Sequence, residues 1–220
     1  SETIGAIRHE LDLAVSGLLG KDYTLLHSEN SASLIISKPE NSALVRSLLT
    51  DNDLSAIGPE GYILKTVQHE NKPTLIITAN TDIGLLYGTF ALIRKMQTLR
   101  DLRTINNSSA PKVMLRMANH WDNLNRIVER GYAGLSLWDW GTLPNYRNPR
   151  YTDYARFSAS IGINGVAINN VNANPRILTD QFLEKVAVLA EMFRPYGVKV
   201  YLSVFFNAPV SIGGLETADP

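Results

Sequence analysis

The sequence predicts a two-part α/β chain, a small α+β layer followed by the first strands of a (β/α)8 barrel. Three observations carry this. The first half mixes amphipathic helical spacing with paired strand-like runs. From Val113 onward, strand and helix patterns alternate. The turns that follow the second-half strands are rich in asparagine rather than glycine.

The elements of the first half follow in order. Apolar residues recur at Ile4, Ile7, Leu11, Ala14 and Leu18, the spacing of one helical face, and Gly20 supplies the stop. Residues 23–27 and 33–37 read as short strands on either side of the polar turn Ser28-Glu29-Asn30. Residues 41–49 read as a second helix with Leu44, Val45, Leu48 and Leu49 on its buried side. Residues 62–68 and 74–79 form a strand pair joined through His69-Glu70-Asn71-Lys72-Pro73. A third helix opens at Thr81 or Asp82, both good capping types, and runs through Gly84, Tyr87 and Phe90 to about Met96. Helices combined with a mixed sheet make an α+β layer. The polar run Asn106-Asn107-Ser108-Ser109-Ala110-Pro111 breaks the pattern. It divides the chain into an N-terminal domain (1–105), a linker (106–112) and a second part (113–220).

In the second part, residues 113–119 read as a strand and 152–161 as a helix stopped by Gly162. Residues 163–168 are a near-continuous apolar run, as expected of a strand buried on both faces. Thr179 caps a helix whose Phe182, Val186, Leu189, Ala190 and Phe193 share a face, and Gly197 closes it. Residues 198–205 are the next buried strand. Such alternation implies parallel strands with right-handed crossovers. A Rossmann-type sheet would need a glycine-rich turn after a strand. Here the turns carry Asn119-His120-Trp121-Asp122, Asn169-Asn170-Val171-Asn172 and Asn207-Ala208-Pro209, which are sugar-binding residue types rather than a phosphate cradle. A complete (β/α)8 barrel takes about 200 residues or more. The stretch 113–220 holds three strands, so the chain reads as an incomplete barrel with an open, apolar edge on its third strand. Another copy of the chain, the tail 207–220 or further sequence would cover that edge.

Composition narrows the partners. The chain has 21 basic and 21 acidic side chains and a formal net charge of zero, which removes the electrostatic case for nucleic acid or an anionic membrane. No apolar run approaches the roughly 18 to 20 residues needed to span a bilayer. Cysteine is absent, which excludes disulfides, thiolate metal sites and a cysteine nucleophile. His9, His27 and His69 are scattered without metal-ligand spacing, and nothing in the sequence signals a metal or organic cofactor. Ser1 opens the chain without an apolar leader, as in a mature or trimmed form.

Several stretches carry a family resemblance. They are Arg116-Met117-Ala118-Asn119-His120-Trp121-Asp122-Asn123-Leu124, Ile127-Val128-Glu129-Arg130-Gly131-Tyr132-Ala133-Gly134 and Ser136-Leu137-Trp138-Asp139-Trp140. Further matches are Tyr154-Ala155-Arg156, Ser160-Ile161-Gly162-Ile163-Asn164-Gly165, Ile168-Asn169-Asn170-Val171-Asn172-Ala173 and Phe193-Arg194-Pro195-Tyr196-Gly197. Gly213-Gly214-Leu215 and Thr217-Ala218-Asp219-Pro220 complete the set. Together they resemble bacterial α-glucuronidases, which remove glucuronic acid or its 4-O-methyl ether from xylan side chains. At Asn125-Arg126 the resembled proteins carry an acidic residue and a glycine. Gly61-Tyr62-Ile63-Leu64 and Gly84-Leu85-Leu86-Tyr87-Gly88 resemble the small domain that precedes the barrel in this family and in β-hexosaminidases.

The resemblance implies inverting glycoside hydrolysis by two carboxyl groups about 6.5 to 9.5 Å apart. In the resembled enzymes those groups come from later barrel strands, so this chain alone is expected to be inactive and to supply no catalytic residue. It implies a glucuronoxylan-derived oligosaccharide as the substrate, in a bacterium, with the compartment open between cytoplasm and periplasm or secretion. Two other readings stand beside it, a non-catalytic carbohydrate-binding accessory domain and a hexosaminidase-like glycosidase.

Candidate contacts lie at the strand ends that face a barrel's active site. Trp121 packs on a sugar face while Asp122 and Asn123 bond hydroxyls, or else His120 and Asp122 pair to knot the loop. Glu129 and Arg130 meet a carboxylated substrate, or form an ion pair beneath the following glycine-rich turn. Trp138 and Trp140 stand two apart and share a side if the chain there is extended. The resemblance implies that a tryptophan of this loop stacks on the glucuronic acid ring, and the other packs the loop. Asn169 and Asn170, with Asn172, bind hydroxyls or serve turns.

Overall fold

The computed structural model describes all residues except His27, Ala173, Asp219 and Pro220. The chain folds as a mixed α/β protein of two compact units, residues 1–114 and 115–220.

The first unit is built on a four-stranded sheet in the order β1-β3-β2-β4. Its elements are α1 (Glu2–Leu19), β1 (Leu34–Ile36), α2 (Ala43–Ser47), α3 (Asp51–Ile57), β2 (Tyr62–His69), β3 (Lys72–Thr78), α4 (Asp82–Gln97) and β4 (Asn106–Ser109). β1 runs parallel to β3, and β2 runs antiparallel to both β3 and β4. The β2–β3 hairpin turns through Glu70 and Asn71, at φ 49° and 61°, the pair of left-handed residues that a tight two-residue turn requires.

Successive β3 residues face opposite sides of the sheet. Ile76 packs in a cluster with Ile35 and Val45, the latter from α2. Ile77 faces α4 instead, where a side chain on Gly88 would start 2.5 Å from its Cγ2. One turn earlier, a Cβ on Gly84 would lie 2.5 Å from the carbonyl oxygen of Gly61. The Gly84 to Gly88 spacing therefore lets α4 settle against the sheet, and α1 packs on α4. Caps fix the helix ends. Thr81 Oγ accepts the Gly84 N–H at the start of α4, and Gly20 ends α1 in the left-handed conformation.

Three features of this unit differ from what the sequence predicts. Residues 23–26 form no strand, and Leu25 and Leu26 are exposed, so that run lacked a buried face to pair with. The rest of that expected strand, His27, lies outside the described residues. The polar stretch expected as linker contains β4, whose Asn106–Ser109 completes the edge of the sheet against β2. Its side chains are mostly exposed, so backbone pairing rather than burial makes it a strand. Helix α3 has a polar sequence and went unpredicted. A capping box between Thr50 and Asp53 starts it.

The second unit holds three parallel strands in the order β5-β6-β7: β5 (Met117–Asn119), β6 (Gly165–Ala167) and β7 (Lys199–Tyr201). Helix α5 (Pro149–Ser160) connects the first two and α6 (Asp180–Phe193) the second two. All three strands are shorter than their apolar runs. β6 is buried throughout, and Gly165 lets Met117 and Tyr201 close in from both sides, each 3.0 Å from where its Cβ would lie. The tail adds α7 (Ala208–Gly213), which packs against the helical turn Pro175–Leu178. Among the described residues β7 pairs with β6 and with no other strand.

Candidate functional site

The C-terminal ends of β5, β6 and β7 release their chains toward one another, and side chains tie the three exits together. The Asn170 N–H donates to the Asp122 carbonyl at 2.9 Å. Asn169 bonds Ser203 twice: its amide donates to the Ser203 carbonyl at 2.9 Å, and its Oδ1 accepts the Ser203 N–H at 2.8 Å. A cleft of about 590 Å³ opens beside these exits, walled by Asn123, Asn125, Asn172, Asn174 and Arg176 together with the apolar Leu124, Pro175, Phe182 and Phe205. Amide groups and one guanidinium set among apolar and aromatic faces make a mixed lining, with hydrogen-bonding groups for hydroxyls and flat faces for a ring.

The long loop between β5 and α5 is braced from within. Ser136 Oγ donates to the buried Asp122 carboxylate at 2.5 Å and accepts the Trp138 N–H at 3.0 Å. Arg126 donates to the Asp139 carboxylate at 2.8 Å, and the Tyr151 hydroxyl accepts the Asp139 N–H at 2.9 Å. Asn123 donates to the carbonyls of Ile127 and Glu129. Arg126 and Glu129 both hold positive φ, 70° and 50°, a backbone region that disfavours side chains. The position where the resembled proteins carry glycine is thus a left-handed one, and here an arginine fills it.

His120 is held at 2.7 Å by the Tyr154 hydroxyl and lies 3.9 Å from Asp122. Burial pushes the His120 imidazole below its usual value, and the Asp122 carboxylate opposes that shift without reversing it. Burial likewise raises the Tyr154 hydroxyl above its usual value.

The three tryptophans separate clearly. Trp138 is fully buried (0% exposed) in a nest of His120, Tyr151, Tyr154 and Phe193, with ring centroids 5.2 to 5.8 Å away. Trp140 is 3% exposed and packs on Phe182. The two rings pack against different partners, Trp138 among His120, Tyr151, Tyr154 and Phe193 and Trp140 on Phe182. Neither offers a free ring face in this structure, because aromatic packing claims both. Trp121 is 44% exposed at the end of β5.

Other candidates divide as well. Asp122, Asn169 and Asn170 are buried and bonded within the protein, whereas Asn123 is half-buried and walls the cleft. Glu129 accepts from the Asn170 amide at 3.2 Å and lies 3.6 Å from Arg130, whose guanidinium stays exposed. Sequence reasoning assigned no role to Ser136, Tyr151, Tyr154 or Arg176. The spacing of Tyr151 and Tyr154, three apart on α5, was the available signal for the tyrosines, since it places both on one helical face.

Residues 1–92 match the family model described as glycosyl hydrolase family 67 N-terminus, and residues 95–220 match the family 67 middle domain. The chain is 36% identical over 232 residues to "Alpha-glucuronidase A" of Emericella nidulans, covering 99% of this chain and 26% of that protein. It is 39% identical over 145 residues to "Probable alpha-glucuronidase A" of Aspergillus clavatus, covering 66% of this chain and 17% of that protein. The chain thus spans about a quarter of the length of the first of these relatives. Among solved structures, it resembles a GH138 enzyme targeting pectin rhamnogalacturonan II (TM-score 0.61, 15% identity, 92% of this chain and 29% of that one). It also resembles a family GH115 4-O-methyl-α-glucuronidase with specificity for decorated arabinogalactans (TM-score 0.60, 15% identity, 90% and 26%). At such identity these two speak for the fold alone. With both of its halves matched in order, the chain belongs to glycosyl hydrolase family 67.

Proposed function

We propose that this chain is the front portion of an α-glucuronidase, supplying part of the sugar-contact surface while the reacting carboxyl groups lie in sequence that follows it. The observation that carries this is the ordered match of both halves to family 67, together with fungal α-glucuronidase relatives about four times as long. The relatives named are fungal, and the bacterial source expected from the sequence finds no support in them.

The finer fold reading is that β5, β6 and β7 are the first three strands of a (β/α)8 barrel, preceded by a hexosaminidase-like small domain. Parallel order, helical crossovers and bonded C-terminal strand ends support it. The substrate is a xylo-oligosaccharide carrying (4-O-methyl)glucuronic acid, hydrolysed with inversion. Trp121 offers its exposed ring to a sugar face. Asn123, through its Oδ1, and the cleft amides bond hydroxyls. Asp122, His120, Asn169 and Asn170 hold the strand exits that present those groups, and Trp138 and Trp140 support the loop from below.

Asp122 and Asp139 do not serve as the acid and base. Their carboxylates are spent on Ser136 and on Arg126 with the Gly141 N–H. The test compares this chain with the longer gene product on a xylo-oligosaccharide bearing 4-O-methylglucuronic acid. Release of the uronic acid by the longer product alone is expected. Release by the 220-residue chain would move catalysis into it, and silence from a folded longer product would favour a binding role.

A further inference from the structure

Glu129 sits at the centre of the braced loop and touches both strand exits that frame Trp121. Its N–H donates to the Trp121 carbonyl at 2.8 Å. Its carbonyl accepts the Asn123 side-chain amide at 2.9 Å. Its carboxylate accepts the Asn170 amide at 3.2 Å, and the Asn170 N–H in turn donates to the Asp122 carbonyl. A non-glycine residue held at φ 50° persists only where its surroundings dictate it, and such positions concentrate at functional sites. Here the surroundings are the three bonds Glu129 makes and the Asn170–Asp122 bond behind them.

The alternatives for this carboxylate are poorer. Its side chain is only 16% exposed, which leaves little of it for a ligand. Arg130 is 85% exposed and 3.6 Å away, too far for a short charge-assisted hydrogen bond. The carboxylate is committed to Asn170.

We infer that Glu129 is a positioning residue: through its backbone bond to Trp121 and its carboxylate bond to Asn170, it fixes the exposed Trp121 ring at the mouth of the strand ends. The significance of that ring for sugar binding rests on the function proposed above, but the positioning itself can be read without any ligand. The reason is burial. Of the three tryptophans, Trp138 and Trp140 are enclosed, so acrylamide quenching and fast depolarisation of tryptophan emission report chiefly on Trp121.

The experiment measures time-resolved anisotropy and acrylamide quenching on the 220-residue chain, with Trp121→Phe identifying the Trp121 signal. Glu129→Ala removes the carboxylate acceptor, and the fast depolarisation amplitude of Trp121 should roughly double as the ring gains sub-nanosecond freedom. Glu129→Gln keeps an acceptor for Asn170 and should restore the parent anisotropy, a rescue that a general loss of loop stability would not show. If circular dichroism shows Glu129→Ala unfolded, Asn170→Ala decides, since it removes the same bond from the other end. Parent-like Trp121 anisotropy in a folded Glu129→Ala or Asn170→Ala variant would overturn the assignment. Unchanged oligosaccharide binding with a loosened Trp121 would instead count against the proposed function and leave the positioning role standing.

Discussion

Arg126 donates to Asp139 across thirteen residues of loop at 2.8 Å, and does so from a backbone at φ 70°. The two features oppose each other energetically. A partly exposed ion pair stabilises by about 0.2–1 kcal/mol, while a side chain in the left-handed region costs about 1 kcal/mol.

Substitution at Arg126 separates the two. Arg126→Gly loses the ion pair but relieves the backbone, and should stay within about 1 kcal/mol of the parent. Arg126→Ala loses the pair and keeps the strain, and should be less stable than the glycine variant by about 1 kcal/mol. Urea denaturation of the two variants measures the difference. Alanine equal to or better than glycine would contradict the left-handed backbone at this position.

Ser136 is the donor to a buried carboxylate and the acceptor for Trp138 at once. Ser136→Ala should destabilise the chain by about 1–3 kcal/mol, because Asp122 is left buried without that donor. Ser136→Thr keeps the hydroxyl and should recover part of the loss. A midpoint of denaturation unchanged in the alanine variant would show that Asp122 finds another donor.

The His120 imidazole sits below its usual 6.5 because burial disfavours its charged form. The unfolded chain therefore binds this proton more readily than the folded one. The stability tied to this group is fully present above the unfolded value and is lost as pH falls through it toward the lower folded value. The thermal midpoint should drop between about pH 7.5 and about pH 5.5, and His120→Gln should flatten part of that drop. A steeper drop in the glutamine variant would contradict the sign.

How legible the fold was depended on what each segment buries. Helices α1, α4 and α6 and the β2–β3 hairpin carry apolar periodicity because each has one face against a core, and their positions follow from spacing. β4 has no such face and α3 is polar, so nothing periodic announced them. Residues 23–26 show the converse: apolar side chains in a strand-like run, two of them largely exposed leucines. The candidate site was legible as residue types at strand ends, not as roles. Trp121, Trp138 and Trp140 look alike in sequence, and only burial shows that two are enclosed and one is exposed. The bonds from Glu129 to Trp121 and to Asn170 join residues whose pairing depends on a left-handed backbone and on the β5–β6 register, neither of which residue type reveals.

The most direct test of the claim that this portion binds sugar rather than performs chemistry is Trp121→Ala in the longer gene product, assayed for uronic acid release. The expected result is a fall in kcat/KM of roughly five- to tenfold carried mainly by KM, as for the loss of one aromatic contact. Kinetics identical to the parent would remove Trp121 from the site. A collapse of kcat with KM unchanged would place this strand end in the reacting centre itself and contradict the account.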